Sequence, residues 1–139
     1  MIWLVAAVVA ALVAWVLVLR SRLLVVTVRG VSMEPTYHSG DRLLVRKARL
    51  DRVRAGQVVV VQVDSSTPDD PTGGRMVKRA VAVPGDPVPP QIPVPGPRVP
   101  VDRLLVLGDN LARSNDSRRL GYLPAAALIG IVLRPIGQR

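Results

Sequence analysis

The first nineteen residues, Met1 to Leu19, carry no charged or polar side chain, while all 29 charged side chains of this 139-residue chain fall in the remaining 120. Nineteen helical residues reach roughly 28 Å, close to the ~30 Å hydrocarbon core of a bilayer. Trp3 and Trp15 suit the interfaces of such a span, although Trp15 lies a full turn inside its C-terminal end. Arg20 and Arg22 end the run abruptly. A cleavable signal peptide would have a shorter apolar region, about 7–15 residues, with positive side chains before it. Here the positive side chains follow. The run therefore reads as an uncleaved membrane anchor over residues 1–22, with a second unit over residues 23–139.

The second unit is basic, and the chain's net charge is +9. Such a surface can meet anionic lipid headgroups or nucleic acid. Phe is absent and only four aromatic residues occur, too few for the stacking platforms that single-stranded nucleic acid requires. The expected partner is a lipid membrane, with no nucleic acid. With no Cys, disulfides and thiolate metal sites are excluded. The single His38 cannot build a His-rich metal site, and no metal or cofactor is expected.

Short apolar runs punctuated by Gly, Pro and Asp follow the anchor. Leu23–Val28, Arg42–Lys47, Val58–Val63, Met76–Val83, Leu104–Leu107 and Leu128–Leu133 read as strands, the last closing before Pro135. The pattern predicts a mostly β domain with no soluble amphipathic helix. Asp64–Arg75 reads as an exposed loop. Pro84–Pro100 holds eight prolines in seventeen residues, and each lacks a donor N–H. The expectation there is an extended, polyproline-like surface spacer.

Three segments can carry chemistry. Ser32 stands in Gly30-Val31-Ser32-Met33-Glu34-Pro35-Thr36, shortly after the first strand. Taken alone, a serine in a loop is usually only a loop residue. Lys78 interrupts an apolar strand and shares a face with Met76, Ala80 and Ala82, while Arg79 lies on the other face. Burial would disfavour its ammonium form and lower its pKa, so that it could take a proton from a hydroxyl. The competing reading is an edge lysine that reaches water. The third segment, Gly108-Asp109-Asn110 followed by Ser114-Asn115-Asp116-Ser117-Arg118, is dense in short hydrogen-bonding side chains. By itself it could be a polar turn.

In order and combination, these segments resemble the type I signal peptidases. Ser32-Met33-Glu34-Pro35-Thr36 with Gly40-Asp41 looks like the family's nucleophile motif. Lys78-Arg79-Ala80-Val81 with Pro84-Gly85-Asp86 looks like its general-base strand. The third segment, with Gly121, is similar to its last two motifs. The resemblance covers residues 23 to 133. It implies a signal-peptidase-like coiled β-sheet domain preceded by one transmembrane helix. It further implies a membrane-bound serine endopeptidase that cuts signal peptides from exported preproteins with a Ser/Lys dyad. On that resemblance Ser32 is the nucleophile and Lys78 the general base. Ser114 would bond and orient the Lys78 amine. Asp116 and Arg118 would pair to hold the last loop, which Asp109 would also support. The Ser32 N–H would donate to the oxyanion. Gly30 stands where some relatives carry a serine, so a hydroxyl donor is absent there. Substrate would lie as an extended strand along a sheet edge, with small side chains at the first and third positions before the cut. The 28 residues between Arg79 and Gly108 leave no room for the extra domain of some relatives.

The resemblance implies an extracytoplasmic catalytic domain, whereas Arg20 and Arg22 after the span favour the cytoplasm by the positive-inside tendency. Two alternatives stay open. One is a dedicated maturation protease for a single leader-bearing substrate, as for nickel superoxide dismutase. The other is an inactive, membrane-tethered basic binding module. A self-cleaving repressor would need a DNA-binding region before Ser32, where the apolar run stands. His38, six residues beyond Ser32, has no acid singled out to orient it and reads as a surface residue.

Overall fold

A computed structural model describes residues 1–64 and 73–138. The apolar run forms helix α1 (Ile2–Ser21), none of whose residues is buried. It is long and apolar enough to cross a membrane. Its carbonyl end carries Arg20, a sign of charge that the helix dipole favours there.

Seven strands follow among the described residues: β1 (Leu23–Thr27), β2 (Asp41–Lys47), β3 (Val58–Gln62), β4 (Arg75–Ala82), β5 (Arg103–Leu107), β6 (Leu123–Pro124) and β7 (Leu128–Gln138). They form one antiparallel sheet in the order β1-β2-β7-β3-β4-β5-β6, curled into a half-barrel. The valine-rich runs are strands because branched side chains pack well on a pleated surface and lose little rotamer freedom there. In β3, Val58 and Val60 join one core cluster while Val59 and Val61 join another. Both faces of that strand are therefore covered, which explains its unbroken apolar run. A third cluster gathers Ala82, Ile92, Val99, Leu105 and Leu107.

The Pro-rich segment departs from the extended spacer expected of it. Val88 N donates to Pro97 O at 3.0 Å and Val99 N to Asp86 O at 2.9 Å, so the chain doubles back on itself. Ile92 and Val99 are each 3% exposed. Burial of these two apolar side chains outweighs the stiffness of the intervening prolines.

Strand β7 also runs past Pro135 rather than stopping before it. Pro135 stands opposite Leu43 at an irregularity in the β2–β7 pairing. Strand β3 flanks β7 only as far as Ile131. Among the described residues, that side of β7 therefore has no strand near Pro135 to receive an N–H. Strand β6 and the one-turn helix α2 (Ser117–Leu120) are too short to show a period in the sequence. Most of the expected Asp64–Arg75 loop lies outside the described residues; Asp64 and Gly73 are exposed, Gly74 is buried and Arg75 already opens β4.

Candidate active site

The turn after β1 carries Ser32. Met33, 1% exposed, plugs into the core cluster beneath β1 and β2 and pins the turn from below. Tyr37 N donates to Met33 O at 3.0 Å and Glu34 N to Val31 O at 3.2 Å, closing the turn around a cis Glu34–Pro35 bond. Gly30 enters it at φ 79°, a conformation that a side chain would strain.

Lys78 sits in β4 opposite Val59, on a face shared with Met76 and Ala80. It is 3% exposed. Its Nζ lies 2.8 Å from Ser32 Oγ, bringing together two residues 46 apart in sequence. Burial pulls its pKa from 10.5 to about 8, against the nearby Asp116 carboxylate, which raises it, and with Arg118, which lowers it further. An amine so placed is partly neutral near pH 8, and a neutral amine at hydrogen-bond distance can accept a hydroxyl proton.

The loop after β5 clamps the Ser32 turn from the other side. Asn110 N donates to Ser32 O at 2.9 Å, and Asn110 Nδ2 donates to Val31 O at 3.1 Å. In a trans peptide the N–H points away from the preceding C=O. Fixing the Val31 carbonyl therefore fixes the direction of the Ser32 N–H. That N–H donates to no acceptor among the described residues. Gly108 lets the two segments approach: a β-carbon there would lie 2.6 Å from Ser32 O and overlap the Ser114 side chain.

Asp109 ties three elements together. Its carboxylate accepts from Arg79 Nε at 2.8 Å, Arg79 Nη2 at 2.6 Å and Thr36 Oγ1 at 2.5 Å. The Arg79 guanidinium chiefly holds its pKa below the usual carboxylate range. The loop after β5, strand β4 and the Ser32 turn thus meet on one side chain.

Asp116 is fully buried. Burial alone would raise its pKa, but Arg118 and the Gly108 N–H outweigh it and bring it to about 2. Arg118 Nε donates to Oδ1 at 2.9 Å and Nη2 to Oδ2 at 3.0 Å, and Gly108 N donates to Oδ2 at 3.0 Å. Arg118 Nη2 also reaches Leu111 O at 2.7 Å, so the pair fastens the loop between β5 and α2.

Ser114 departs from the role implied for it. Its Oγ is buried and makes no hydrogen bond to Lys78; it lies near the Asp116 carboxylate, whose pKa it helps to lower. The short side chain is instead packed against Gly108. His38 is exposed, with its backbone N–H on Asp41 Oδ2 at 2.8 Å. Asn110, Arg79, Thr36 and Gly108 meet at this candidate site, but no local pattern in the motifs marks them, because their partners lie in other segments of the chain.

A groove of about 430 Å³ opens beside Ser32 and Lys78, bounded by residues 25–29 at and just past the end of β1 and by Arg75, Met76 and Val77. Among the described residues, β1 pairs with β2 alone and its outer side is unpaired.

A family model described as "Signal peptidase, peptidase S26" matches residues 1–92 and 90–136. The chain is 32% identical to "Probable signal peptidase I-1" of Synechocystis, the match covering 88% of this chain and 76% of that protein. It is 31% identical to "Probable signal peptidase I-2" of the same organism, over 71% of this chain and 56% of that protein. A shorter stretch, 39% of this chain and 27% of the relative, is 41% identical to the human signal peptidase complex catalytic subunit SEC11C. With a family match over nearly its whole length, and a curled antiparallel sheet that brings the three motifs into one place, the chain belongs to the signal peptidase family of serine endopeptidases, peptidase S26.

Proposed function

We propose that the chain is a membrane-anchored signal peptidase that cleaves leader segments from preproteins with Ser32 as nucleophile and Lys78 as general base. The 2.8 Å contact between a nine-tenths-buried amine and a serine hydroxyl carries this reading. Neutral Lys78 takes the Ser32 proton as Oγ attacks the scissile carbonyl. The oxyanion forms against the Ser32 N–H, which the Asn110 clamp leaves free. Protonated Lys78 then gives its proton to the leaving amine, leaving an acyl-enzyme ester. The same amine, neutral again, draws a proton from the water that hydrolyses the ester.

Substrate lies as an extended segment against the outer edge of β1, where free backbone groups can pair with it. Helix α1 anchors the enzyme, with residues 23–139 beside the membrane on the extracytoplasmic face. The signal peptidase relatives support this reading over a single-substrate maturation protease. An inactive binding module would have no need of the buried Lys78–Ser32 contact.

The test is cleavage of a peptide with an Ala-X-Ala site by the detergent-solubilised chain. Ser32→Ala and Lys78→Ala are each expected to abolish turnover while the far-ultraviolet circular dichroism stays that of the wild type. Wild-type turnover by either variant would overturn the assignment.

A further inference from the structure

A second concave site lies at the foot of α1, away from Ser32 and Lys78. Five cationic side chains line it: Arg22, Arg46, Lys47, Arg49 and Arg52. Arg22 caps the carbonyl end of α1. Lys47 N donates to Arg22 O at 2.8 Å, which fastens the end of β2 to the end of the helix. The groove is about 640 Å³ and has an apolar floor of Ala48 and Ile129.

The charge there is almost unopposed. Asp51 pairs with Arg49 at 3.8 Å, with both side chains exposed. Such a pair contributes little. Among the described residues, the side chains of Arg22, Arg46, Lys47 and Arg52 have no carboxylate partner and no hydrogen-bond acceptor. Two arginines elsewhere do pair with carboxylates, Arg79 with Asp109 and Arg118 with Asp116. Five like charges converging beside a single exposed carboxylate repel one another and mark a place where an anion belongs.

We propose that this groove binds the headgroup of an anionic phospholipid. The occupant follows from position. A span ending at Arg20 puts the next residues at headgroup depth, where phosphates are concentrated and basic side chains are drawn to the surface. The guanidinium forks of Arg46 and Arg52 suit a phosphodiester, and the Ala48–Ile129 floor suits the glycerol carbons. The inference rests on the membrane-crossing reading of α1, but not on the chemistry of Ser32. It also offers a reason for basic residues to follow the span on the extracytoplasmic side, where a bound lipid neutralises them.

The full chain in neutral maltoside micelles is titrated with phosphatidylglycerol, phosphatidylcholine or inorganic phosphate. Retained lipid is counted by native mass spectrometry, and Tm is followed in parallel. Phosphatidylglycerol is expected to bind saturably and raise Tm, while phosphatidylcholine and inorganic phosphate at the same concentration do neither. Arg46→Gln/Arg52→Gln is expected to weaken phosphatidylglycerol binding about tenfold or more and to keep the lipid-free Tm. Should that variant fold poorly, Lys47→Gln/Arg49→Gln carries the same expectation. Equal retention of phosphatidylcholine, or undiminished binding by a folded variant, overturns the site. Inorganic phosphate binding as tightly as the lipid overturns the lipid assignment. Resistance of the membrane-bound chain to alkaline carbonate, and peptide cleavage in the same micelles, report the anchor and the catalytic reading separately.

Discussion

In the proposed role of general base, the buried Lys78 would set both rate and stability. Its pKa of about 8 places the loss of its proton inside the accessible pH range. Cleavage is therefore expected to rise with pH, reach half its plateau near 8 and level off above, as read from kcat/KM between pH 6 and 10. Asp116 pulls that pKa upward, so Asp116→Asn is expected to move the midpoint to lower pH, together with a loss of stability. An unmoved midpoint in a folded variant would argue against Lys78 as the titrating base. The same depressed pKa has a cost. The unfolded chain binds the Lys78 proton up to about pH 10.4 and the folded chain only up to about 8, so stability rises between those values. Below pH 8 the penalty is present in full. Lys78→Met, which removes it, is expected to stabilise the inactive protein by roughly 2–3 kcal/mol at pH 7 and by little at pH 10.5. Denaturant unfolding at the two pH values measures the difference.

At the scale of elements, the site is the meeting of a turn, a strand and a loop. Strand β4 supplies Lys78 on one face and Arg79 on the other. Through Asp109 the second face grips the loop that holds the Ser32 turn, so the strand that carries the amine also locates the hydroxyl. Asn110 completes the grip. Asn110→Ala keeps the backbone bond to Ser32 O and loses only the Nδ2 bond to Val31 O. The expected stability cost is about 1 kcal/mol, with kcat lower by about ten- to a hundredfold and KM little changed. A matching rise in KM, or full kcat, would show that the side chain does not aim the Ser32 N–H.

Across the whole molecule, the helix lies outside the core clusters of the described residues, joined to the sheet at its end by the Lys47 N bond to Arg22 O. None of α1 is buried, and the core clusters draw only on residues from Leu24 onward. Removing residues 1–21 is therefore expected to leave a folded sheet, with Tm within a few degrees of the full chain in detergent and turnover of a soluble peptide retained. A cooperative melt lost on truncation would show that α1 contributes to the fold. If α1 is the proposed anchor, cleavage of membrane-embedded preproteins should fall much further than peptide turnover, because the anchor would keep enzyme and substrate in the same two-dimensional space.

The membrane-length helix, the positions of six of the seven strands and the Ser32 and Lys78 motifs were legible in the linear chain. Each is a local pattern: an uncharged run, a β-branched run between turn formers, a basic residue inside an apolar stretch. The return of the Pro-rich segment onto the sheet was not legible, because two buried side chains, Ile92 and Val99, decide it and their partners lie on β4 and β5. Nor was the course of β7 past Pro135, which depends on where its neighbour stops. Sequence order said which motifs exist; the curl of the sheet decided that Lys78 meets Ser32 while Ser114 turns toward Gly108. Local composition governs what a segment can become, and distances between segments are set by packing, which only the folded chain contains.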